Sequence, residues 1–121
     1  VAALLTMSYA TLVGCTVVQN QAGSAVYYTP PIAREALEAT FSVEATHFIS
    51  AGSVVVTVEH KDFADTTWAT ADTFASITGT GVETLTVSAL KEEIRLKFGF
   101  SGANALGFAH LVVAAPTWLP E

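Results

Sequence analysis

The side chains best suited to chemistry are three histidines, His47, His60 and His110, two loop aspartates, Asp62 and Asp65, the adjacent carboxylates Glu92 and Glu93, and a basic group of Lys91, Arg95 and Lys97. A zinc centre needs three or four ligands converging on one point. In the strand register derived below, His47 and His60 stand roughly 13 Å apart, at about 3.3 Å per residue, so they do not share an ion. His110 is followed by Leu111, Val112 and Val113, the setting of a core or interface histidine. Asp62 and Asp65 lack the alternating oxygen ligands and the glycine of a calcium loop, which leaves them as residues of a solvated turn. Glu92 and Glu93 are neighbours on a strand and point to opposite faces, so they form no acid–base pair. Ser24, Ser53 and Ser101 lie beside glycines but outside a Gly-x-Ser-x-Gly elbow. The pairs Gly79/Gly81 and Gly99/Gly102 lack the third glycine and the following helix of a phosphate-binding loop. Lys91, Arg95 and Lys97, next to Glu92 and Glu93, read as a salt-bridged strand face. The residues therefore predict no enzyme, no metal site and no cofactor.

The elements that carry these residues alternate with period two. Phe41, Val43, Ala45, His47 and Ile49 share one parity of a strand, and after Ala51-Gly52 a second run places Val54, Val56, Val58 and His60 on one parity. Joined by a two-residue loop, the runs form a β-hairpin with Ile49 facing Val54, His47 facing Val56 and Ala45 facing Val58, which directs both apolar sets to one face. Residues 61–67 read as a loop with Asx-type turns leading to Trp68. Residues 73–78 and 82–87, separated by Gly79-Thr80-Gly81, read as a second hairpin. The cleanest alternation sets Ile94, Leu96, Phe98 and Phe100 against Glu93, Arg95, Lys97 and Gly99. Residues 106–115 are almost continuously apolar, as in a central strand buried on both sides, and Pro116 ends the run. Residues 11–18 and 24–28 are strands, and residues 32–38, after Pro30-Pro31, are the one stretch suited to a short helical turn. Seven or eight short strands with at most that turn predict an all-β, single-domain antiparallel β-sandwich spanning 1–121, jelly-roll or immunoglobulin-like.

Composition narrows the function. The chain has 121 residues, 51% hydrophobic and 13% charged, with a formal net charge of -6, against roughly 25% charged in ordinary soluble domains. Such an apolar chain is not disordered, and five basic residues against eleven acidic ones exclude binding to nucleic acid through a basic footprint. Fifteen of the sixteen charges lie between Arg34 and Lys97, and residues 1–33 carry none. Residues 1–18 are broken by Thr6, Ser8, Thr11, Gly14 and Thr16 and do not read as a membrane span. Leu12-Val13-Gly14-Cys15 has the form of a lipoprotein box, but without basic residues before it Cys15 reads as a buried strand cysteine. The single cysteine makes no intrachain disulfide. Uncharged segments of this length suit surfaces covered by other subunits, since obligate interfaces are apolar and charge-poor. Residues 1–33 thus read as an assembly arm. Tyr27, Tyr28, Pro30, Pro31 and Ile32, with Trp118 and Leu119, are expected either to contact other subunits or to cap the sandwich core.

From residue 41 to residue 115 the chain resembles small β-sandwich proteins of tailed-bacteriophage virions, of the capsid decoration (cement) or head-stabilising type. The carriers are the strand 54–59 ending in His60, the acidic loop to Trp68, residues 74–77, Gly81-Val82, Leu90-Lys91-Glu92 leading into Ile94-Arg95-Leu96-Lys97, and residues 108–114. The compact Asp-Gly turn often found before the tryptophan in such proteins is replaced here by Asp62-Phe63-Ala64-Asp65-Thr66-Thr67. The resemblance implies a structural protein of the virion capsid surface, made in the host cytoplasm, whose partners are the major capsid protein and copies of itself, with no catalytic residue to carry over. Two other readings fit the same residues. One is a tail or neck subunit, and the other is a carbohydrate-binding β-sandwich module with Trp68, Tyr27, Tyr28 or Trp118 as a platform for a glycan.

Overall fold

A computed structural model describes residues 13–19, 26–49, 52–101 and 108–119. Ten strands run through them: β1 (Val13–Gln19), β2 (Val26–Tyr28), β3 (Ile32–Ala33), β4 (Glu38–Ile49), β5 (Ser53–Lys61), β6 (Ala69–Thr73), β7 (Gly81–Val87), β8 (Glu93–Ser101), β9 (Phe108–Val113) and β10 (Thr117–Leu119). They form two antiparallel five-stranded sheets. In the first, β4 is the hub: β9 and β10 pair with it in succession, β7 also pairs with it, and β1 adds outside β9. In the second the order is β2-β8-β5-β6, with β3 also on β8. The architecture is the all-β sandwich expected from the alternation, and no helix occurs among the described residues. Accordingly, no helix among the described residues is long and apolar enough to cross a membrane.

The sandwich is closed by side chains of one parity from each sheet. Phe41, Val43 and Ala45 of β4, with Leu111 and Val113 of β9, join Val54, Val56 and Val58 of β5 and Ile94, Leu96, Phe98 and Phe100 of β8 in one buried cluster. Each fully buried side chain of this size stabilises by about 1.5–3 kcal/mol relative to exposure. β8 has the alternation read from its sequence.

Three expectations are corrected. First, β4 and β5 do not form a hairpin: β4 pairs with β7, β9 and β10, whereas β5 pairs with β6 and β8. Both apolar parities do point inward as far as Ala45, but from opposite sheets, so Ala45 and Val58 share the core cluster without being ladder partners. The parity of β4 also reverses at a bulge between Ala45 and His47, where one extra residue shifts every later side chain to the other face. His47 and Ile49 are therefore exposed, and Phe48 packs against the core. Second, residues 73–78 and 82–87 form no hairpin, because β6 joins one sheet and β7 the other. The connection between them crosses the end of the sandwich with Phe74 and Ile77 buried and Ile77 bridged to Val54. Third, residues 32–38 are not helical. Ile32 and Ala33 pair with Ile94 and Glu93, and a bend follows. β9 is central in its sheet, yet among its described side chains only the parity of Ala109, Leu111 and Val113 is buried, while His110 and Val112 are half-buried.

Proline explains why the outer partner of β8 and the inner partner of β4 are each split in two. Pro30-Pro31 lies between β2 and β3, and Pro116 between β9 and β10; a residue without an N–H interrupts a ladder. At the first break Thr29 repairs the loss. Its N–H donates to the Leu96 carbonyl at 2.9 Å, and its buried hydroxyl accepts from the Leu96 N–H at 2.9 Å. The sequence ranges of the assembly-arm reading are thus woven into both sheets as β1, β2 and β3, while residues 1–12 and 20–25 lie outside the described residues. Cys15 falls within β1.

The connection from β7 to β8 is pinned by the Leu90 N–H donating to the Leu37 carbonyl at 2.9 Å and by Arg34 Nη1 donating to the Leu90 carbonyl. Within it Ala89 has a φ of 55°. A left-handed conformation costs a side-chain-bearing residue about 1–2 kcal/mol, and glycine gives back about 0.5–1 kcal/mol of that through its greater chain entropy. Ala89→Gly is expected to raise unfolding stability by about 0.5–1 kcal/mol, measured by urea denaturation at unchanged m-value.

Candidate functional site

The outer face of the second sheet gathers the most concentrated chemistry. On β8 the outward parity is Glu93, Arg95, Lys97, and on β5 it is Lys61, Glu59, Thr57; the antiparallel register sets these directly opposite one another in that order. Opposite charges therefore meet across the strands. Lys61 Nζ lies 2.9 Å from Glu93 Oε1, and Arg95 Nε donates to Glu59 Oε1 at 2.8 Å. Trp68, carried by the loop after β5, lies with its ring centroid 5.4 Å from Lys61 Nζ and 4.4 Å from the centre of the Arg95 guanidinium. Across β8, the Tyr28 ring centroid is 4.0 Å from the same guanidinium centre. The result is an alternating row of cations and rings, Lys61, Trp68, Arg95, Tyr28, each contact a cation–π interaction worth about 0.5–1 kcal/mol at an exposed site. Beneath it Glu59 is only 9% exposed, although its parity faces outward. Its charge is tolerated because the guanidinium answers it.

The loop that delivers Trp68 turns as expected, but through its backbone and not as an Asx-type turn: the Asp65 N–H donates to the Asp62 carbonyl at 2.9 Å, and the Asp65 carboxylate reaches back to accept the Asp62 N–H at 3.1 Å, whereas an Asx side chain accepts from a residue further on. Lys61 Nζ donates to the Asp65 carbonyl at 3.2 Å, which ties the turn to the charged row. Sequence reasoning placed Lys91, Arg95 and Lys97 together against Glu92 and Glu93. The structure divides them: Arg95 pairs with Glu59, Glu93 with Lys61, and the Glu92 carboxylate accepts the Phe63 N–H at 2.9 Å. Glu59, Lys61 and Tyr28, which the sequence does not group with these residues, complete the row. Their signal was present in the complementary charge order of 57–61 and 93–97, but it becomes legible only once those strands are known to be partners.

The histidines separate differently from expectation. His47 and His110 are cross-strand partners on the first sheet, their rings stacked at 5.7 Å with an interplanar angle of 23°. The Thr46 hydroxyl lies 2.9 Å from His110 Nδ1. His60 is on the second sheet. Among the described residues no group of three or more His, Cys, Asp or Glu is placed to hold a metal ion.

The seven residues singled out as subunit contacts or core caps fall into two groups. Tyr27 and Tyr28 are 38% and 50% exposed on β2, Pro30 and Pro31 are exposed after them, and Ile32 is half-buried against the core. The Tyr27 ring meets Phe100 edge-on, with centroids 6.3 Å apart. Trp118, at 1% exposure, is one of the largest fully buried side chains, and Leu119 is half-buried on the same short strand. The Trp118 Nε1–H is buried with no acceptor among the described residues.

No protein-family model matches the chain, and no curated protein matches it in sequence. Among solved structures, the crystal structure of PirA is similar in fold, with a TM-score of 0.56 at 13% identity, covering 88% of this chain and 98% of that one. A structure of infectious bursal disease virus Gt strain aligns with a TM-score of 0.45 at 15% identity over 88% of this chain and 29% of that one. The carbohydrate-binding module CBM4 aligns with a TM-score of 0.45 at 13% identity over 87% of this chain and 79% of its own. At these identities the likeness is one of fold.

His60 links the second sheet to the β7–β8 connection, because its Nδ1 accepts the Lys91 N–H at 3.2 Å. Partial burial lowers its pKa below the usual 6.5, the Lys91 charge lowers it further, and Asp62 opposes them. A histidine depressed in the folded state binds its proton more readily once unfolded, so its contribution to stability is complete above about pH 6.5 and is lost as pH falls below that value toward its folded pKa. Thermal unfolding from pH 8 to pH 5 is expected to show a fall in Tm at the acid end that is smaller in His60→Asn than in the unsubstituted chain.

Proposed function

We propose that this chain is a structural subunit of a virion, of the type that decorates or stabilises a tailed-phage capsid, and that it works through contacts with the capsid protein and with copies of itself. The observation that supports this most is β2. A strand in a sandwich ordinarily hides every second side chain, yet Val26, Tyr27 and Tyr28 are 46%, 38% and 50% exposed in succession, and the exposed Pro30 and Pro31 extend the strip. β2 stands at the outer position of the order β2-β8-β5-β6. A contiguous apolar and aromatic strip there, without charge, has the composition of an interface core, rich in tyrosine and poor in lysine and glutamate. It belongs to the same uncharged stretch, residues 1–33, that the composition marks out. The resemblance of residues 41–115 to phage virion sandwiches points the same way, and the sandwich supplies a rigid frame on which such a strip is held without any catalytic machinery.

Capsid shells lacking decoration, mixed with the purified chain and sedimented, are expected to carry it down. Val26→Lys places a charge in the strip at a site exposed in the free chain. It is expected to leave stability nearly unchanged, within about 0.5 kcal/mol as for surface substitutions, while raising the dissociation constant for shells, read from sedimentation across a concentration series, at least about tenfold, which is about 1.4 kcal/mol of binding free energy. Failure of the unsubstituted chain to sediment with shells, or full occupancy by Val26→Lys, overturns the reading. Sedimentation with tail or neck assemblies instead of shells overturns the capsid assignment.

A further inference from the structure

The chain has five basic residues and a net charge of -6, yet Lys61, Arg95 and Lys97 stand together on the outer face of the second sheet. Two of the three are answered by acids: Lys61 by Glu93, and the Nε of Arg95 by Glu59. Among the described residues the Lys97 ammonium takes part in no ion pair, and the terminal nitrogens of Arg95 make no hydrogen bond. These unsatisfied donors flank one ring. Tyr28 is the cross-strand partner of Lys97 and lies 4.0 Å from the Arg95 guanidinium centre.

Arg95 does not have the freedom of an ordinary surface arginine. Its Nε is anchored to Glu59, and its plane is flanked by Tyr28 and Trp68, so little rotamer entropy remains to be lost on binding. A guanidinium held in this way presents a fork matched to a planar carboxylate, with Lys97 beside it as a second, mobile cation. The half-exposed Tyr28 ring supplies apolar surface for the C–H face of a sugar ring. Glu59 and Glu93 on the same face, and the acidity of the chain as a whole, disfavour a ligand with many negative charges. The ligand that satisfies all three conditions is small, ring-shaped and singly charged.

We infer that the Tyr28–Arg95–Lys97 face binds an acidic saccharide, a pyranose carrying one carboxylate, with the carboxylate on Arg95 and Lys97 and the ring against Tyr28. This goes beyond the capsid reading and does not depend on it: the two surfaces share Tyr28, and they are told apart at residues that belong to one alone, shell binding at Val26 and sugar binding at Lys97.

The test uses the full chain against oligosaccharides ending in glucuronate, in sialate, and in the corresponding neutral sugars, with a heavily sulfated polysaccharide as a separate arm. Binding is read by amide shifts in NMR titration and by immobilised-glycan capture. Carboxylated termini are expected to bind at least about tenfold more tightly than neutral ones, as for one or more charge-assisted hydrogen bonds, and the glucuronate and sialate arms show which carboxylated ring fits. Lys97→Gln, with Tm unchanged, is expected to weaken binding at least about fivefold, within the range of one charged contact. Tyr28→Ala is expected to weaken it as well, and Lys91→Gln, off this face beside His60, to leave it intact. Equal binding of neutral and carboxylated sugars, strongest binding by the sulfated polymer, no binding of any carboxylated sugar at millimolar concentration, or full retention by Lys97→Gln each overturns the inference.

Discussion

The structure depends on the way β4 and β5, adjacent in sequence, send their apolar faces toward each other from opposite sheets. Phe41, Val43 and Ala45 on one side and Val54, Val56 and Val58 on the other share one buried cluster. Sheets in a sandwich pack about 10 Å apart, a gap that such side chains fill. Had these strands paired along a ladder, both apolar rows would have lain on one face and needed a third element to cover them. By crossing after residue 49 the chain covers each row with the other. The bulge between Ala45 and His47 belongs to the same solution. It turns His47 outward at the point where the chain leaves the first sheet, and it brings Phe48 back against the core.

A second constraint follows from the first. Once β4 and β8 are the central partners of their sheets, the segments alongside them have to run a long way, and in both places proline breaks them into two short strands. At Pro30-Pro31 the backbone loss is made good by Thr29, whose side chain and amide both bond to Leu96. This explains a buried threonine in a region otherwise notable for exposed apolar residues. The strip of Val26, Tyr27 and Tyr28 stays 46%, 38% and 50% exposed even with its pairing to β8 satisfied and with Arg95 over the Tyr28 ring. The charged row of the outer face is similarly derivative. Glu59 is admitted to a nearly buried position because Arg95, itself stacked on Trp68, pairs with it.

The extent to which all this was legible in the sequence varies by kind of information. Period-two alternation identifies β8, β5 and the buried parity of β4 as far as Ala45, because along an unbroken strand a side chain's direction follows from its position in the chain; it does not see the bulge beyond Ala45, which turns His47 and Ile49 outward. That residues 62–65 turn is legible for a similar reason, since the hydrogen bonds close within four residues, although they form a backbone turn and not the expected Asx turn. The short helix at 32–38 was misread because proline before a polar stretch resembles a helix start, whereas the neighbouring strand β8 captured Ile32 and Ala33 into its ladder. The two hairpins were misread because a Gly between alternating runs is equally compatible with a turn within a sheet and a crossing between sheets. The stacking of His47 on His110, and the grouping of Tyr28 with Arg95 and Trp68, were not legible at all, since each joins residues more than sixty or about thirty positions apart.

By itself, then, the sequence determined that this is an all-β sandwich, which side of most strands faces inward, and that its charge is confined to the middle of the chain. Those are local or compositional properties, set by the alternation of side chains along an extended backbone and by the cost of burying charge. Only the tertiary structure decided which strands are neighbours. Alternation orients a strand without choosing its partner, and the choice rests on how two apolar surfaces fill one volume, a contest settled among all the strands at once. The candidate site inherits that dependence, because Arg95 meets Glu59, Tyr28 and Trp68 only after β8 has taken its place between β2 and β5.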